Sequence, residues 1–334
     1  MNTLVTPLRT VVLMSPAAET LPDVGVLLPR DLPADQVLPY ARRADALGFA
    51  ELWVVEDLGF RGGIAQAAAA LAVTERIRVG VGILPVGARN VAFAAMEVAT
   101  VAELFPGRLH LGVGHGMPDW MRQAGAWPAS PLTAFEEYVT ALRALLRGEE
   151  VTVDGRYVQL DAVRLESPPA VVPPVLAGVR GPKSLAAAGR VADGTVLAEP
   201  VGPEYSRAAR AQIGDVPGHR VAAYDVGAVA DDPAEARALV RPALAYIGDP
   251  GWAPHIDPMP FAAEFRALRE RTPDRAEFAA ALPDAWVDQL AVVGTRDQVR
   301  ARLAAIHAAG TDSVVLAPAG PDPLAALDRL ATVL

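Results

Sequence analysis

The sequence predicts an α/β fold, a (β/α)8 TIM barrel with two insertions, near 148–173 and 249–283. Three observations lead there. Eight short apolar runs alternate with stretches of helical spacing, the order of a parallel sheet wound with helices. The runs are apolar throughout instead of alternating, as in strands covered on both faces. The length, 334 residues, suits one such barrel, and no repeat of about 20–50 residues suggests a solenoid. An open doubly wound sheet is the alternative. Residues 1–22 are expected to be a leader and 23–334 a single domain.

The first run, VGVLLP (24–29), is followed by helical spacing at Val37, Leu38, Ala41, Ala44 and Leu47, with Gly48 as the stop. A second strand is expected over 51–57 (ELWVVED), with GGIAQAAAALAV as its helix. The third spans 77–85 (IRVGVGILP), its helix 91–105, and the fourth strand 108–116 (RLHLGVGHG). The rhythm then breaks. A helix over 130–148, with Ser130 as expected N-cap, leads into a hairpin turning on Asp154-Gly155. It resumes with a fifth strand over 173–179, a helix at KSLAAAGRVA and a sixth strand over 193–200. The seventh strand, 221–230, precedes a helix at DPAEARALVRPALAYIG. The Pro-rich second excursion, a helix over 296–309, an eighth strand over 312–318 and DPLAALDRLATVL complete the chain.

Composition narrows the function. A net charge of −9 argues against a nucleic-acid surface, which needs clustered Lys and Arg. Zero Cys excludes disulfides, thiolate metal sites and a Cys nucleophile, and no metal site is expected. No run approaches the roughly 18 apolar residues of a membrane span. The expectation is a cytoplasmic protein with a small-molecule substrate.

Barrel chemistry sits where strands run into their C-terminal loops. The second strand ends in Glu56 and Asp57, and the fourth in Gly112, Val113, Gly114, His115 and Gly116. The fifth ends at Val179, Arg180, Gly181 and Pro182, and the sixth at Ala198 and Glu199. His115, between two glycines, is the expected proton carrier, since an imidazole titrates near neutrality without a large shift. Glu56 or Asp57 would orient it or supply the proton. His110, within the strand, is expected in the barrel core. GVGHG lacks the dinucleotide G-x-G-x-x-G spacing, and Gly112 and Gly114 read as room for a flat ligand. Lys183, the only lysine among 30 Lys and Arg, follows Gly181-Pro182 at a helix start, where backbone N–H groups attract anions.

The segments ADALGFAELWVVED, IRVGVGILPVGARNVAFAAMEVATVAELFPGRLHLGVGHG and PPVLAGVRGPKSLAAAGRVADGTVLAEP resemble the bacterial-luciferase-like superfamily over about residues 23–330. FPGRLHLGVG stands where that family often reads SGGRxxLGxGxG. The superfamily contains monooxygenases using reduced FMN and deazaflavin (coenzyme F-420) enzymes, methylenetetrahydromethanopterin reductases among them. The resemblance implies a flavin ring across the C-terminal end of the barrel. It implies a non-prolyl cis peptide within Gly80, Val81, Gly82 and Ile83, and the cofactor phosphate at the Gly181-Pro182-Lys183 turn. Arg61, Arg89 and Arg180 could meet the acidic tail of F-420. The implied reaction is F-420-dependent hydride transfer to an activated C=N or C=C. The alternatives are an FMN monooxygenase served by a flavin reductase, and a non-catalytic flavin-binding partner subunit. A homodimer through the second and third helices is expected, because both are apolar around more than one face.

Overall fold

The structure, a computed structural model, describes residues 20–334, so residues 1–19 of the expected leader lie outside it. β1 (Asp23–Leu27) leads to α1 (Ala34–Leu47), β2 (Glu51–Val54) to α2 (Gly63–Ala72), and β3 (Arg78–Pro85) to α3 (Val91–Leu104). After β4 (Leu109–Gly114) come α4 (Pro118–Gln123), α5 (Pro131–Leu146) and the antiparallel hairpin of β5 (Val151–Asp154) and β6 (Gln159–Val163). Next are β7 (Val175–Gly178), α6 (Pro182–Val191), β8 (Gly194–Leu197), α7 (Pro203–Ile213), β9 (Arg220–Val229) and α8 (Pro233–Val240). The second insertion carries α9 (Ala253–Ile256), α10 (Ala262–Arg271), α11 (Arg275–Ala281) and α12 (Asp284–Leu290). β10 (Val292–Gly294), α13 (Arg296–Ala308), β11 (Ser313–Pro318) and α14 (Pro323–Ala331) follow.

Eight parallel strands close on themselves in the order β1-β2-β3-β4-β7-β8-β9-β11, because β9 pairs with both β8 and β11 and β11 pairs with β1. This is the (β/α)8 barrel expected, and no open sheet. β10 was not foreseen. It extends the sheet beside the far end of β9, pairing Val292 with Gly227. Trp53, Leu176, Val196, Ala222, Tyr224 and Val315 fill the barrel interior, and a larger apolar shell lies between strands and helices.

One further element was not foreseen, and two local expectations need correction. The chain between β8 and β9 forms α7, whose Tyr205, Ala209 and Ile213 repeat every four residues on a buried stripe. The helix after β9 ends at Val240 and continues as a 3-10 turn, Arg241–Tyr246, because Pro242 has no N–H to continue the α-ladder. Ser130 precedes α5 but does not cap it. Its hydroxyl pairs with Thr133 Oγ1 at 2.8 Å, while its N–H meets the Tyr157 hydroxyl.

The N-terminal end of the barrel is held by a buried carboxylate. Glu51 is fully buried and accepts from Trp53 Nε1 (2.8 Å), Ser313 Oγ (2.7 Å), Arg220 Nη2 (2.7 Å) and Arg78 Nη2 (3.3 Å). Burial alone would raise its carboxyl; His110, Arg220 and the Trp53 and Ser313 hydrogen bonds overcome that and hold it below the usual range. His110 lies beside it, 3.7 Å away, inside the barrel as expected, and burial pushes its imidazole down to about 4.

At the C-terminal end β3 bulges. Its register against β4 slips between Val81 and Leu84, and the Gly82–Ile83 peptide is cis, within the stretch where the resemblance placed such a bond. The bulge seats Ile83 in space left by three glycines. A Cβ on Gly112 would lie 2.9 Å from an Ile83 methyl, one on Gly114 2.8 Å, and one on Gly178 2.3 Å. Gly112 and Gly114 thus make room for Ile83 and for neighbouring backbone, where the sequence suggested room for a ligand.

Two stability predictions follow from this packing. Gly114→Ala places a Cβ 2.2 Å from the Gly178 carbonyl and should cost about 1–3 kcal/mol, lowering the melting temperature by several degrees. Gly251→Ala, with open space at its Cβ, should melt like the parent. The second concerns acid. His110 and the buried His255, pushed down by burial to about 4 and about 3, refuse protons that the unfolded chain takes up near pH 6.5. Their contribution is therefore complete above about pH 6.5 and is lost as pH falls towards those values, about 2–3 kcal/mol each by pH 4.5. Urea midpoints at pH 7.5 and 4.5 should show that loss, and His255→Phe should reduce it.

Candidate active site

One cavity of about 720 Å³ opens where the barrel strands end, a size suited to a small organic molecule. Glu56, Asp57, Gly82, Ile83 and His115 line it. Val179, Arg180 and Ala198 complete the other side. The structure therefore gathers all three expected catalytic residues in one place. The remaining candidates sit around it. Gly80, Val81, Gly112, Val113 and Gly114 form the strand wall behind, with a Cβ on Gly80 only 2.1 Å from the Trp53 ring. Gly181, Pro182 and Lys183 open α6, and Glu199 follows Ala198 beyond the end of β8.

The two acidic residues do not touch His115. Glu56 takes two hydrogen bonds from Arg89 (2.8 and 3.1 Å) and one from the Gly63 N–H (2.8 Å), so it anchors the start of α2. Asp57 pairs with Arg30 Nη1 at 2.6 Å. The partner of His115 is Ser184, whose hydroxyl lies 3.2 Å from Nε2, and its ring packs against Phe135. Burial lowers the His115 imidazole below its ordinary value; the nearby Pro131 carbonyl opposes this without forming a hydrogen bond of normal geometry. At pH 7 it is a neutral base, where the sequence suggested an unshifted group.

The arginines proposed for an acidic tail are engaged elsewhere. Arg61 donates to the carbonyls of Arg30 (3.1 Å) and Leu32 (2.7 Å), and Arg89 holds Glu56. Arg180 donates to the Gly251 carbonyl (3.2 Å) and lies over the Trp252 ring. Lys183 is exposed and holds no ion pair among the described residues. α6 begins at Pro182 with no side-chain cap, after Gly181 at φ 82° with open space where a Cβ would point. Its first-turn N–H groups are free to meet an anion.

Sequence reasoning missed Ser184, Tyr224 and Trp252. Tyr224 lines the cavity from β9, and its hydroxyl finds no partner; a Cβ on Gly82 would lie 1.8 Å from that oxygen. Alternation along β9 could have found it, since Ala222, Tyr224 and Val226 share a face. Trp252 arrives from the second insertion and donates its indole N–H to the Glu199 carbonyl at 2.9 Å, while His255 Nδ1 meets the Pro200 carbonyl at 3.2 Å. Nothing local in the sequence signals those two contacts. Burial raises the Glu199 carboxyl above its ordinary range. No helix among the described residues is long and apolar enough to cross a membrane.

Comparison with known proteins agrees with this architecture. The family model described as luciferase-like monooxygenase matches residues 14–313. The chain is 28% identical to 5,10-methylenetetrahydromethanopterin reductase of Methanolobus tindarius, over 87% of this chain and 94% of that one. It is 30% identical to the phthiodiolone/phenolphthiodiolone dimycocerosates ketoreductase of Mycobacterium bovis, over 74% and 71%. In fold it resembles the coenzyme F-420-dependent tetrahydromethanopterin reductase of Methanopyrus kandleri, with a TM-score of 0.81 and 20% identity over 93% of this chain and 98% of that one. With its barrel, its bulged third strand and this match over most of its length, the chain belongs to the luciferase-like monooxygenase family and is an oxidoreductase.

Proposed function

We propose that the chain is a flavin-type enzyme that moves hydride between coenzyme F-420 and a small organic substrate. The observation that carries the reading is the cavity itself, backed at Gly82 and Gly178 by strand without side chains and flanked by the uncapped start of α6. Those features fit a planar cofactor with an anionic arm. Gly82, Ile83, Val179, Val196 and Ala198 would hold the ring end, and the N–H groups of Lys183 and Ser184 the anion. The coenzyme F-420-dependent reductase that shares its fold supports F-420 over FMN. When bound, the reduced deazaflavin supplies a hydride.

The chain's own residues manage the proton. Neutral His115 accepts it from a substrate hydroxyl in the oxidative direction and returns it in the reductive one. Ser184 fixes the imidazole ring, and the Arg89 and Arg30 pairs keep Glu56 and Asp57 from competing for that proton. The lowered His115 value sets the sign of the pH effect. Oxidation should stay level from alkaline pH to about 6.5 and fall only below it.

Fluorescence titration should show micromolar F-420 binding and weaker FMN binding; tight FMN with no F-420 affinity would instead support the monooxygenase, which then needs a separate flavin reductase. Lys183→Glu should weaken F-420 binding about three- to tenfold without changing the melting temperature. His115→Ala should lower turnover by about 10²–10⁴, abolish the acid limb and leave cofactor affinity intact.

We also propose a homodimer through α2 and α3. Phe93, Met96 and Leu104 stand 64%, 53% and 67% exposed on α3, three large apolar side chains left in water on one helix. Light scattering should give twice the chain mass, and Met96→Glu should halve it.

A further inference from the structure

Tyr224 stands on β9 with its ring inside the barrel, edge-on to Trp53 at 5.5 Å between ring centres and packed with Leu176, Val196, Ala222 and Val315. It is only 8% exposed, yet it lines the cavity. Its hydroxyl presses so close to Gly82 that a Cβ there would lie 1.8 Å from the oxygen. No group among the described residues bonds to that hydroxyl. A buried hydroxyl in that position costs about 1–3 kcal/mol unless an occupant of the cavity supplies its partner.

The cavity has two kinds of wall. Leu58, Phe60 and Trp127 on loops, and Trp120 on α4, form its mouth. Gly82 on β3, Val196 and Ala198 at the end of β8, and Tyr224 on β9 form its floor. The hydroxyl rises from the barrel interior and lies flush with the floor, so it serves a flat molecule resting on Gly82 before anything held at the mouth. Burial, with the carboxylates of Glu199, Glu51 and Asp57, pushes its ionisation well above the ordinary value, and it stays protonated. It therefore has a proton to donate at any working pH. The rings of FMN and F-420 share one polar edge, the pyrimidine side, whose two carbonyl oxygens and N1 accept hydrogen bonds.

Resting on the flavin-type reading above, we infer that Tyr224 is a cofactor-contacting residue whose hydroxyl donates a hydrogen bond to an acceptor on that pyrimidine edge. Reduction puts more negative charge on the edge, and a hydrogen bond to a charged acceptor is stronger than one to a neutral acceptor. Tyr224 thus holds the ring on the Gly82 floor and favours its reduced form. No proton changes hands in this contact.

The test compares the full chain with Tyr224→Phe, which keeps the aromatic ring and its packing on Trp53. Affinity for oxidised and reduced F-420 is read by fluorescence titration, and the midpoint potential of the bound cofactor by equilibration with a redox dye. The variant should bind the oxidised form about threefold and the reduced form about tenfold more weakly. That difference lowers the potential by about 15 mV, at about 30 mV per factor of ten for two electrons. The melting temperature of the cofactor-free variant should match or exceed that of the parent. Tyr205→Phe removes another buried, unpartnered hydroxyl, one that does not line the cavity, and should change neither affinity nor potential. Unchanged affinity and potential in Tyr224→Phe overturn the inference; a rise in KM alone would then assign the hydroxyl to the substrate. A loss of several degrees in the cofactor-free variant also overturns it, because the hydroxyl then has its partner within the fold. If FMN binds in place of F-420, the hydride-transfer reading fails by itself, and the same comparison on the FMN-loaded chain decides the role of Tyr224. Binding of neither flavin overturns both.

Discussion

The catalytic end of this barrel depends on where one side chain fits. Ile83 needs the volume that Cβ atoms on Gly112, Gly114 and Gly178 would fill, so β3, β4 and β7 approach only because three positions carry no side chain. With Ile83 seated there, β3 leaves its ladder at Val81 and rejoins it at Leu84, opposite Val113. Gly82 is turned towards the cavity, where the Tyr224 hydroxyl forbids any larger residue. The side-chain-free floor is thus a result of packing inside the wall. Binding requirements alone would not demand glycine at Gly112 or Gly114, which do not face the cavity.

The two ends of the barrel use their carboxylates in different ways. At the N-terminal end, Glu51 is surrounded by donors from β2, β3, β9 and β11, and a buried charge with that many partners ties strands together that are far apart in sequence. At the C-terminal end Glu56 and Asp57 are paired with Arg89 and Arg30, while His115 Nδ1 and the Tyr224 hydroxyl remain without partners. A buried polar atom without a partner costs about 1–3 kcal/mol. The chain bears that cost at both ends, since His110 Nδ1 beside Glu51 is also without a partner, but the Glu51 carboxylate itself is spared it.

The barrel was legible because its strands are continuous apolar runs and its first helices stop at recognisable signals, such as Gly48. Glu56, Asp57 and His115 were legible as strand ends. Their partners were not, because a contact such as His115 with Ser184 joins residues 69 apart and depends on how two loops meet. The glycines of β4 were noticed and misread for a related reason. Sequence shows a missing side chain but not which neighbour takes the space. The short α9–α12 helices of the second insertion escaped notice because Pro and Gly interrupt their periodicity; their core, with Phe261 stacked on Trp286, forms only after folding.

That insertion explains how one barrel can keep its cofactor end while changing its mouth. Its helices pack with the far end of β9, α8 and β10 into an apolar cluster separate from the larger shell. At the rim its polar contacts run to backbone carbonyls: Trp252 to Glu199, His255 to Pro200, and Arg180 back to Gly251. Contacts to backbone constrain position but leave the partner's side chain free to vary. The strand ends are bound to the barrel's hydrogen-bond ladder and cannot move independently. Leu58, Phe60 and Trp127 stand on loops and Trp120 on the short α4, all outside that ladder. Their side chains can therefore change with the substrate at little cost to the fold, whereas a change at Ile83 would disturb every strand that touches it.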